Sequence, residues 1–304
     1  MIAFTKMQAI GNDFVVIEEP ENIDLSALAA KVCDRRFGIG ADGMLTYKAN
    51  PPASPFVPLS EAPSLAAREG WGGFRFRIFN ADGSEDTMCG NGLRCVVRLA
   101  TERGQVPLTG IAQTASGEVP YAIDGTQITL TLPPPRFDCD SIPLDLIAWG
   151  ERFRTLFDGR NLMPVPVAGG SFALSAVNTG STHSVTFRSN LPSDEEFLSW
   201  SPRVENSPAF PEKTSLMWAT VSGSNALKLR IWERGVGETL GCGTGACAAA
   251  VLAIVEGKAS PVFPVEVTSK GGTVQVRWDG DERSPILLIG SANTIYSGTL
   301  DSFL

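Results

Sequence analysis

The sequence predicts an α/β (α+β) chain of two pseudo-symmetric domains, each with strands set around a single helix. Three observations predict it. At 304 residues the length suits about two domains. The stretch FRFRIFNADGSEDTMCGNG (74–92) lies without a gap over LKLRIWERGVGETLGCGTG (227–245) at a constant offset of 153 residues, with Arg77 over Arg230, Ile78 over Ile231, Glu85 over Glu238 and Cys89 over Cys242. A repeat with so long a period marks a duplicated structural unit. In each half, strand-length apolar runs surround one run long enough for a helix.

The elements follow in order. FTKMQAIGNDFVVIEE (4–19) reads as strand, turn, strand, with Gly11-Asn12-Asp13 as the turn. Asp24–Arg36 predicts a helix with Leu25, Leu28, Ala29 and Val32 on one face. GIGADGMLTY (38–47) reads as loop then strand. Residues 50–73 are rich in Pro, Ser, Ala and Gly and predict a surface insertion or lid. A strand at 74–79, a loop Asn80–Met88 and a helix Asn91–Arg103 come next, then strands 106–115 and 119–131. Pro133-Pro134-Pro135 is a stiff break. The predicted domains are 1–131 plus 291–304, carrying Cys89, and 132–290, carrying Cys242. The second half restarts with a strand at 165–177 and a turn-strand GSTHSVTF, in which Gly180 lies over Gly11 and Ser181 over Asn12. A polar, proline-rich connection (190–213), strands 215–222 and 226–232, a loop Glu233–Gly241 and a helix Gly245–Val255 follow. That helix is apolar on nearly every side, so it should be enclosed. Gly104 and Gly257 close the two central helices, and Asp-Gly pairs at 124–125 and 279–280 predict matching hairpins.

Composition excludes several classes. A net charge of −8 argues against nucleic acid or an anionic membrane as partner. The N-terminus shows no export pattern, and the apolar run 246–255 is far short of the roughly 20 residues a span needs. A cytoplasmic protein is expected. Six cysteines without a CxxC give poor support to a zinc site, and stapling is disfavoured in the cytoplasm. No metal and no cofactor are expected.

The duplicated CGxG carries the chemistry. A helix start offers backbone N–H groups and a partial positive charge that can hold a carboxylate. Glycine lets a ligand approach the backbone. The same field lowers a cysteine's pKa from about 8.5. Two such half-sites on one substrate would place a sulfur on each side of Cα: a thiolate removes the α-proton and a thiol returns one to the opposite face. A lone cysteine at a helix start is usually inert packing. Packing does not by itself call for glycine at two equivalent helix starts, which favours the reactive reading. Closure on substrate is expected, because α-proton abstraction benefits from excluding water.

MQAIGNDFVVI, RIFNADGSEDTMCGNGLRC and ERGVGETLGCGTGACAAA resemble diaminopimelate epimerase, over nearly the whole chain, with 50–73 as an addition. The resemblance implies a diaminopimelate-epimerase-like fold, in which each domain is a strand-rich, barrel-like sheet around a central helix. It implies interconversion of LL- and meso-diaminopimelate for lysine and peptidoglycan synthesis, on a small-molecule amino-acid substrate. Cys89 matches the family's proton donor and Cys242 the acceptor, roles that exchange with direction. Gly90, Asn91, Gly243 and Thr244 match residues whose amides hold the substrate carboxylate. Asn12 and Asn80 match substrate-binding asparagines, Glu233 the glutamate that modulates acid–base chemistry while contacting substrate, and Arg234 a substrate-binding arginine. His183, the chain's one histidine, matches a histidine beside a catalytic thiol and is read as an electrostatic partner. A homodimer is compatible with the resemblance.

Three positions depart from the pattern: Gly43 where glutamine is frequent, and Ser181 and Ser215 where substrate-binding asparagines are usual. The resemblance implies that they bear on the far end of the substrate rather than on the proton transfer. An alternative is therefore a racemase of another amino acid, such as histidine. A thiol–disulfide switch and a non-catalytic binding module are the readings from other classes. Gly38–Gly43 matches GxGxxG but does not follow a strand and open a helix, so a dinucleotide site is disfavoured. Arg94 and Arg98 read as solvated or carboxylate-paired, Cys95 and Cys247 as packing, and Glu85 and Glu238 as loop anchors.

Overall fold

A computed structural model describes residues 1–50, 72–145, 160 and 162–300. Most of the insertion expected at 50–73 lies outside the described residues. The chain divides into two compact units, Met1–Thr131 with Ile289–Leu304, and Leu132–Leu288. It leaves the first unit just ahead of Pro133-Pro134-Pro135.

The first unit holds β1 (Ile2–Ala9), β2 (Asn12–Glu18), α1 (Leu25–Val32), β3 (Gly43–Asn50), β4 (Gly73–Asn80), β5 (Glu85–Asp86), α2 (Gly90–Glu102), β6 (Thr109–Thr114) and β7 (Gly117–Asp124). It takes most of β8 (Gln127–Leu132), and β18 (Asn293–Leu300) returns to pair with β1. The second unit holds β9 (Met163–Val167), β10 (Gly170–Asn178), β11 (Thr182–Phe187), α3 (Asp194–Glu205), β12 (Ser215–Gly223), β13 (Ala226–Glu233), β14 (Gly237–Thr239), α4 (Gly243–Val255), β15 (Val265–Ser269) and β16 (Gly272–Arg277). β17 (Ile286–Gly290) carries the chain back.

The duplication extends to the ladders. In the first unit β1–β2 is antiparallel, β2–β3 parallel, β3–β4 and β4–β5 antiparallel, β4–β6 parallel and β6–β7 antiparallel. β10 to β16 repeat that series of pairings. Ile78 faces Asp86 and Phe79 faces Glu85, while Ile231 faces Thr239 and Trp232 faces Glu238, each pair shifted by the sequence repeat. α2 packs on β1, β2, β3, β4, β7 and β18, and α4 on β10, β11, β12, β13, β15 and β16. Each unit is thus mixed α+β, with strands set around one helix. Both helices end on a left-handed glycine, Gly104 at φ 67° and Gly257 at φ 68°. The amides of Gln105 and Lys258 then bond back to the carbonyls of Ala100 and Ala253, the hydrogen bond that finishes a helix on glycine.

Several boundaries differ from the sequence expectation. α1 stops at Val32 rather than Arg36, because the Asp34 carboxylate takes the amides of Arg36 and Phe37 and turns the chain. The expected strand 165–177 is the hairpin β9–β10, folded at Ala168-Gly169 where Gly169 has φ 87°. The expected strands 106–115 and 119–131 are β6 and the β7–β8 hairpin, which turns at Gly125-Thr126. Asp279-Gly280 lies in a longer connection between β16 and β17. The connection 190–213 contains α3, capped by Ser193 Oγ on the Glu196 amide. Its residues Phe197 and Val204 enter a core with Phe172, Phe210 and Trp218. The loops after β4 and β13 each hold a short strand, β5 and β14.

Candidate functional site

The first half-site is built on the turn between β1 and β2 and on the start of α2. Ile10 and Gly11 both have positive φ, 44° and 81°, the backbone of a tight two-residue hairpin turn. That turn sets Asn12 opposite Ala9 at the head of β2. Asn12 Nδ2 donates to Asp42 Oδ2 at 2.7 Å, leaving Oδ1 toward Cys89 Sγ at 3.9 Å and Asn91 Nδ2 at 3.5 Å. Asp42 is fixed in turn by Arg35 at 2.6 Å, and Arg35 also grips Asp13. Arg35 and Lys6, which binds Asp13 at 2.6 Å, hold that carboxyl at about 2 against the opposing pull of burial. The GxGxxG-like segment therefore buttresses the Asn12 turn.

Cys89 is the N-cap of α2, in extended backbone with φ −141°, and its Sγ accepts from the Gly92 amide at 3.4 Å. The helix starts at Gly90, one residue before the expected Asn91. Gly90 and Asn91 occupy its first two positions, whose N–H groups have no acceptor within the helix. Arg94 is fully buried rather than solvated, and its Nη2 donates to Asn91 Oδ1 at 2.8 Å. Asn80 ends β4, is exposed, and donates through Nδ2 to Ser84 Oγ at 3.0 Å.

The second half-site repeats this plan with different chemistry. Cys242 caps α4 with φ −127°, its Sγ accepting from the Gly245 amide at 3.4 Å and lying 3.6 Å from Thr244 Oγ1. Gly243 and Thr244 fill the first two helical positions. The Thr244 carbonyl accepts from Thr179 Oγ1 at 2.9 Å, tying the helix start to the turn after β10. Glu233, at the end of β13, accepts from Thr239 Oγ1 at 2.5 Å and hydrogen-bonds the Cys242 thiol. Ser181 Oγ lies 2.9 Å from His183 Nε2. Ser215 Oγ accepts from the Arg234 amide at 3.1 Å, and Arg234 Nη1 donates to the Glu212 carbonyl at 2.9 Å.

Two electrostatic expectations change. A helix start lowers a thiol's pKa, yet burial, and then the charge of Glu233, push Cys242 well above the ordinary range. The Thr244 and Gly245 hydrogen bonds offset this only in part. His183 is pushed down to about 3 by burial and by the Arg234 charge, so its imidazole is neutral at ordinary pH. It offers a dipole rather than a charge. Cys33 is raised to about 12 and Cys95 is raised as well, both by burial, as befits packing thiols.

The last position of each CGxG is glycine for a packing reason. A Cβ on Gly92 would lie 2.8 Å from Leu45 Cδ2, and one on Gly245 2.6 Å from Met217 Sδ. Leu45 and Met217 occupy equivalent places in β3 and β12. Packing thus does call for these glycines, contrary to the sequence reasoning. Gly43 likewise stands where a Cβ would meet the Phe79 carbonyl at 2.8 Å.

Glu85 and Glu238 are loop anchors: Arg77 pairs with Glu85 at 2.7 and 2.8 Å, and Arg230 with Glu238 at 2.8 and 3.1 Å. Sequence reasoning passed over Glu205 of α3. This buried carboxylate accepts from Trp232 Nε1 at 2.7 Å and from the Gly235 amide at 2.9 Å, bracing the chain on either side of Glu233 and Arg234. The Ser193–Glu196 spacing was the available sign of its helix. A cleft of about 880 Å³ on the first unit, lined by Glu19, Asp24, Lys48, Arg75 and Arg77, includes none of the expected site residues. Among the described residues, no group of three or more His, Cys, Asp or Glu side chains is placed to hold a metal ion.

A family model described as diaminopimelate epimerase matches residues 4–131 and 175–295. The chain belongs to the diaminopimelate epimerase family. It is 37% identical to the diaminopimelate epimerase of Synechococcus sp. (strain JA-3-3Ab) over 306 residues, 98% of either chain. It is 34% identical to that of Burkholderia thailandensis over 316 residues, 99% of this chain and 98% of the relative. Two solved structures share the fold. One is a hydroxyproline epimerase from Agrobacterium vitis with bound trans-4-hydroxy-L-proline, with a TM-score of 0.62, 14% identity, and 98% and 91% of the two chains covered. The other is a Bacillus anthracis phenazine biosynthesis protein of the PhzF family, with a TM-score of 0.58, 16% identity and 98% of each chain covered. Both matched ranges include one of the repeated CGxG segments, whose cysteines are the N-caps of the two central helices.

Proposed function

We propose that this chain interconverts LL- and meso-diaminopimelate by moving the α-proton between two cysteines, Cys89 and Cys242. The observation that carries the reading is the pair of N-cap thiols, each bonded to the third amide of a repeated helix start, in a chain aligned along its length with diaminopimelate epimerases. The amides of Gly90 and Asn91, and of Gly243 and Thr244, are the groups suited to the α-carboxylate. One sulfur, as thiolate, breaks the Cα–H bond and takes the proton. The negative charge left on the substrate spreads into its carboxylate, held at the helix starts. The other sulfur, as thiol, gives its proton to the opposite face, so each turnover leaves the two protonation states exchanged. Glu233 hydrogen-bonds Cys242 and is the group placed to share its proton. Asn12, Asn80 and Arg234 hold the substrate, with Arg234 suited to a distal carboxylate. His183, Ser181 and Ser215 complete the second half-site.

No helix among the described residues is long and apolar enough to cross a membrane. The proposed mechanism needs two reduced thiols, which suits a reducing compartment such as the cytoplasm, and all six cysteines are free. It needs no cofactor.

A racemase of another amino acid is kept as a second reading. The hydroxyls of Ser181 and Ser215 are turned to His183 and to the Arg234 amide, where the family resemblance expects substrate-binding asparagines. The test is α-deuterium incorporation in deuterated water across a panel of amino acids. LL-diaminopimelate should exchange and yield the meso isomer. Exchange of a different amino acid alone would select the second reading. Cys89→Ala and Cys242→Ala should each abolish epimerisation, and full activity in either would end the two-base mechanism.

A further inference from the structure

We propose that Thr239 is a positioning residue for this reaction, its hydroxyl fixing the Glu233 carboxylate against the Cys242 thiol. The assignment rests on the reading of Cys242 as a proton carrier. It begins with the register of the β13–β14 hairpin, in which Ile231 faces Thr239 and Glu233 faces Gly237. Glu233 and Thr239 are therefore diagonal neighbours on one face of the hairpin, close enough for side chains to meet. They do so at 2.5 Å, a charge-assisted hydrogen bond of the short kind. One carboxylate oxygen is committed to Thr239, so rotation of the group away from the thiol costs that bond. Cys242 is a titratable neighbour on which the Glu233 carboxylate acts by charge and by hydrogen bond. Arg230, Glu238 and Lys270 form their own cluster on the opposite face, with Glu238 taken by Arg230 at 2.8 Å and Lys270 at 2.6 Å. Arg234 follows Glu233 in the chain and is bound to the Glu212 carbonyl.

The first unit shows that this contact is not part of the repeated architecture. The position equivalent to Thr239 is Asp86, whose Oδ1 takes the amide of Thr87 at 2.6 Å. The position equivalent to Glu233 is Asn80, which donates to Ser84 Oγ. Two hairpins of one register thus hold a carboxylate–hydroxyl pair beside one sulfur only. A residue needed just to close the hairpin would be called for in both.

The test compares Thr239→Val, which removes the donor at nearly constant shape, with Thr239→Ser, which keeps it. Glutamate side chains are labelled with ¹³C, the Glu233 carboxyl signal is assigned by its loss in Glu233→Gln, and its titration is followed by NMR. Thr239→Val should raise the Glu233 midpoint by about one pH unit, and Thr239→Ser should restore it. With LL-diaminopimelate, Thr239→Val should lower kcat about tenfold, leave KM within about twofold, and move the acid limb of the rate profile up by about the same unit. Thr239→Ser should lie within about threefold of the parent. An unmoved Glu233 titration in Thr239→Val, or a Thr239→Ser enzyme as slow as Thr239→Val, overturns the assignment. Absence of α-exchange in the parent protein overturns the functional reading instead, and the titration still reports whether Thr239 holds Glu233.

Discussion

Replacing Gly245 by alanine tests whether helix packing sets the position of the Cys242 sulfur, the second of the two proposed proton carriers. The new Cβ would stand 2.6 Å from Met217 Sδ and 2.7 Å from its Cε. Ordinary contacts lie at about 3.5–4.0 Å, so the gap must open by roughly 1 Å. Met217 is wholly buried, and protein interiors are close-packed, so its side chain moves only at the expense of neighbouring contacts. Overpacking of this kind costs about 1–3 kcal/mol, while alanine in place of helical glycine returns up to about 1 kcal/mol. The net expectation is a loss of about 1–2 kcal/mol, a fall of roughly 2–8 °C in Tm for a unit of this size. The same Cβ lies 3.3 Å from Cys242 Cβ, so the N-cap shares the displacement. A shift approaching 1 Å at a reacting group costs about 10²-fold in rate. α-Deuterium incorporation should therefore fall far more than stability does. Met217→Ala in the same background opens the space, and the double variant should be at least about 1 kcal/mol more stable than the sum of the single effects. An unchanged Tm and exchange rate in Gly245→Ala, or strict additivity in the double variant, would refute the reasoning.

Three further outcomes follow from the same geometry. Arg77→Ala and Arg230→Ala alter equivalent positions but should differ in cost. Arg77 is partly exposed, and its loss should cost about 1 kcal/mol or less. Arg230 is buried, pairs with Glu238 and Asp194 and lies 3.9 Å from the Phe197 ring centroid, and its loss should cost about 3 kcal/mol by urea denaturation. Burial acts to raise the Glu205 carboxyl, but hydrogen bonds from Trp232, Gly235 and Lys213 outweigh it and hold the group below the usual carboxylate range. A depressed folded-state value gives stability that is present above the unfolded value and lost as pH falls through the folded one. Glu205→Gln should therefore lose less stability than the parent on acidification below about pH 4.3, measured as urea midpoints across that range. Alkylation of Cys242, followed by mass spectrometry as a function of pH, should show a midpoint above the ordinary thiol value that falls in Glu233→Gln. An unchanged midpoint would remove the carboxylate from the account.

Much of this molecule was legible because duplication wrote each half twice. The offset from Cys89 to Cys242 correctly aligned the helices, their closing glycines and the Arg77–Glu85 and Arg230–Glu238 pairs. What escaped was long-range. β5 and β14 are strands only because β4 and β13 supply the ladder, and two or three residues carry no period of their own. α3 was hidden by Pro202 within it and by prolines on either side, although Ser193 and Glu196 marked its start. The burial of Arg94 and the raised thiol of Cys242 depend on what neighbouring strands cover. A helix start predicts one sign of shift, and enclosure supplied the other.

The pairing of β1 with β18 has a consequence for synthesis. Ile2 lies opposite Leu300, so the unit begun first is also the one finished last. The run Leu132–Leu288 that forms the second unit leaves the ribosome unbroken and can fold as a block. Meanwhile the edge of β1 that does not face β2 waits for β18 through about 160 residues of translation after Thr131, roughly ten to thirty seconds at ordinary rates. For that interval the nascent chain carries an unpaired edge strand, the kind of edge through which neighbouring chains on one message join to each other. Trigger-factor-like holding of the first 130 residues would matter more for this protein than for one whose halves close in the order they are made.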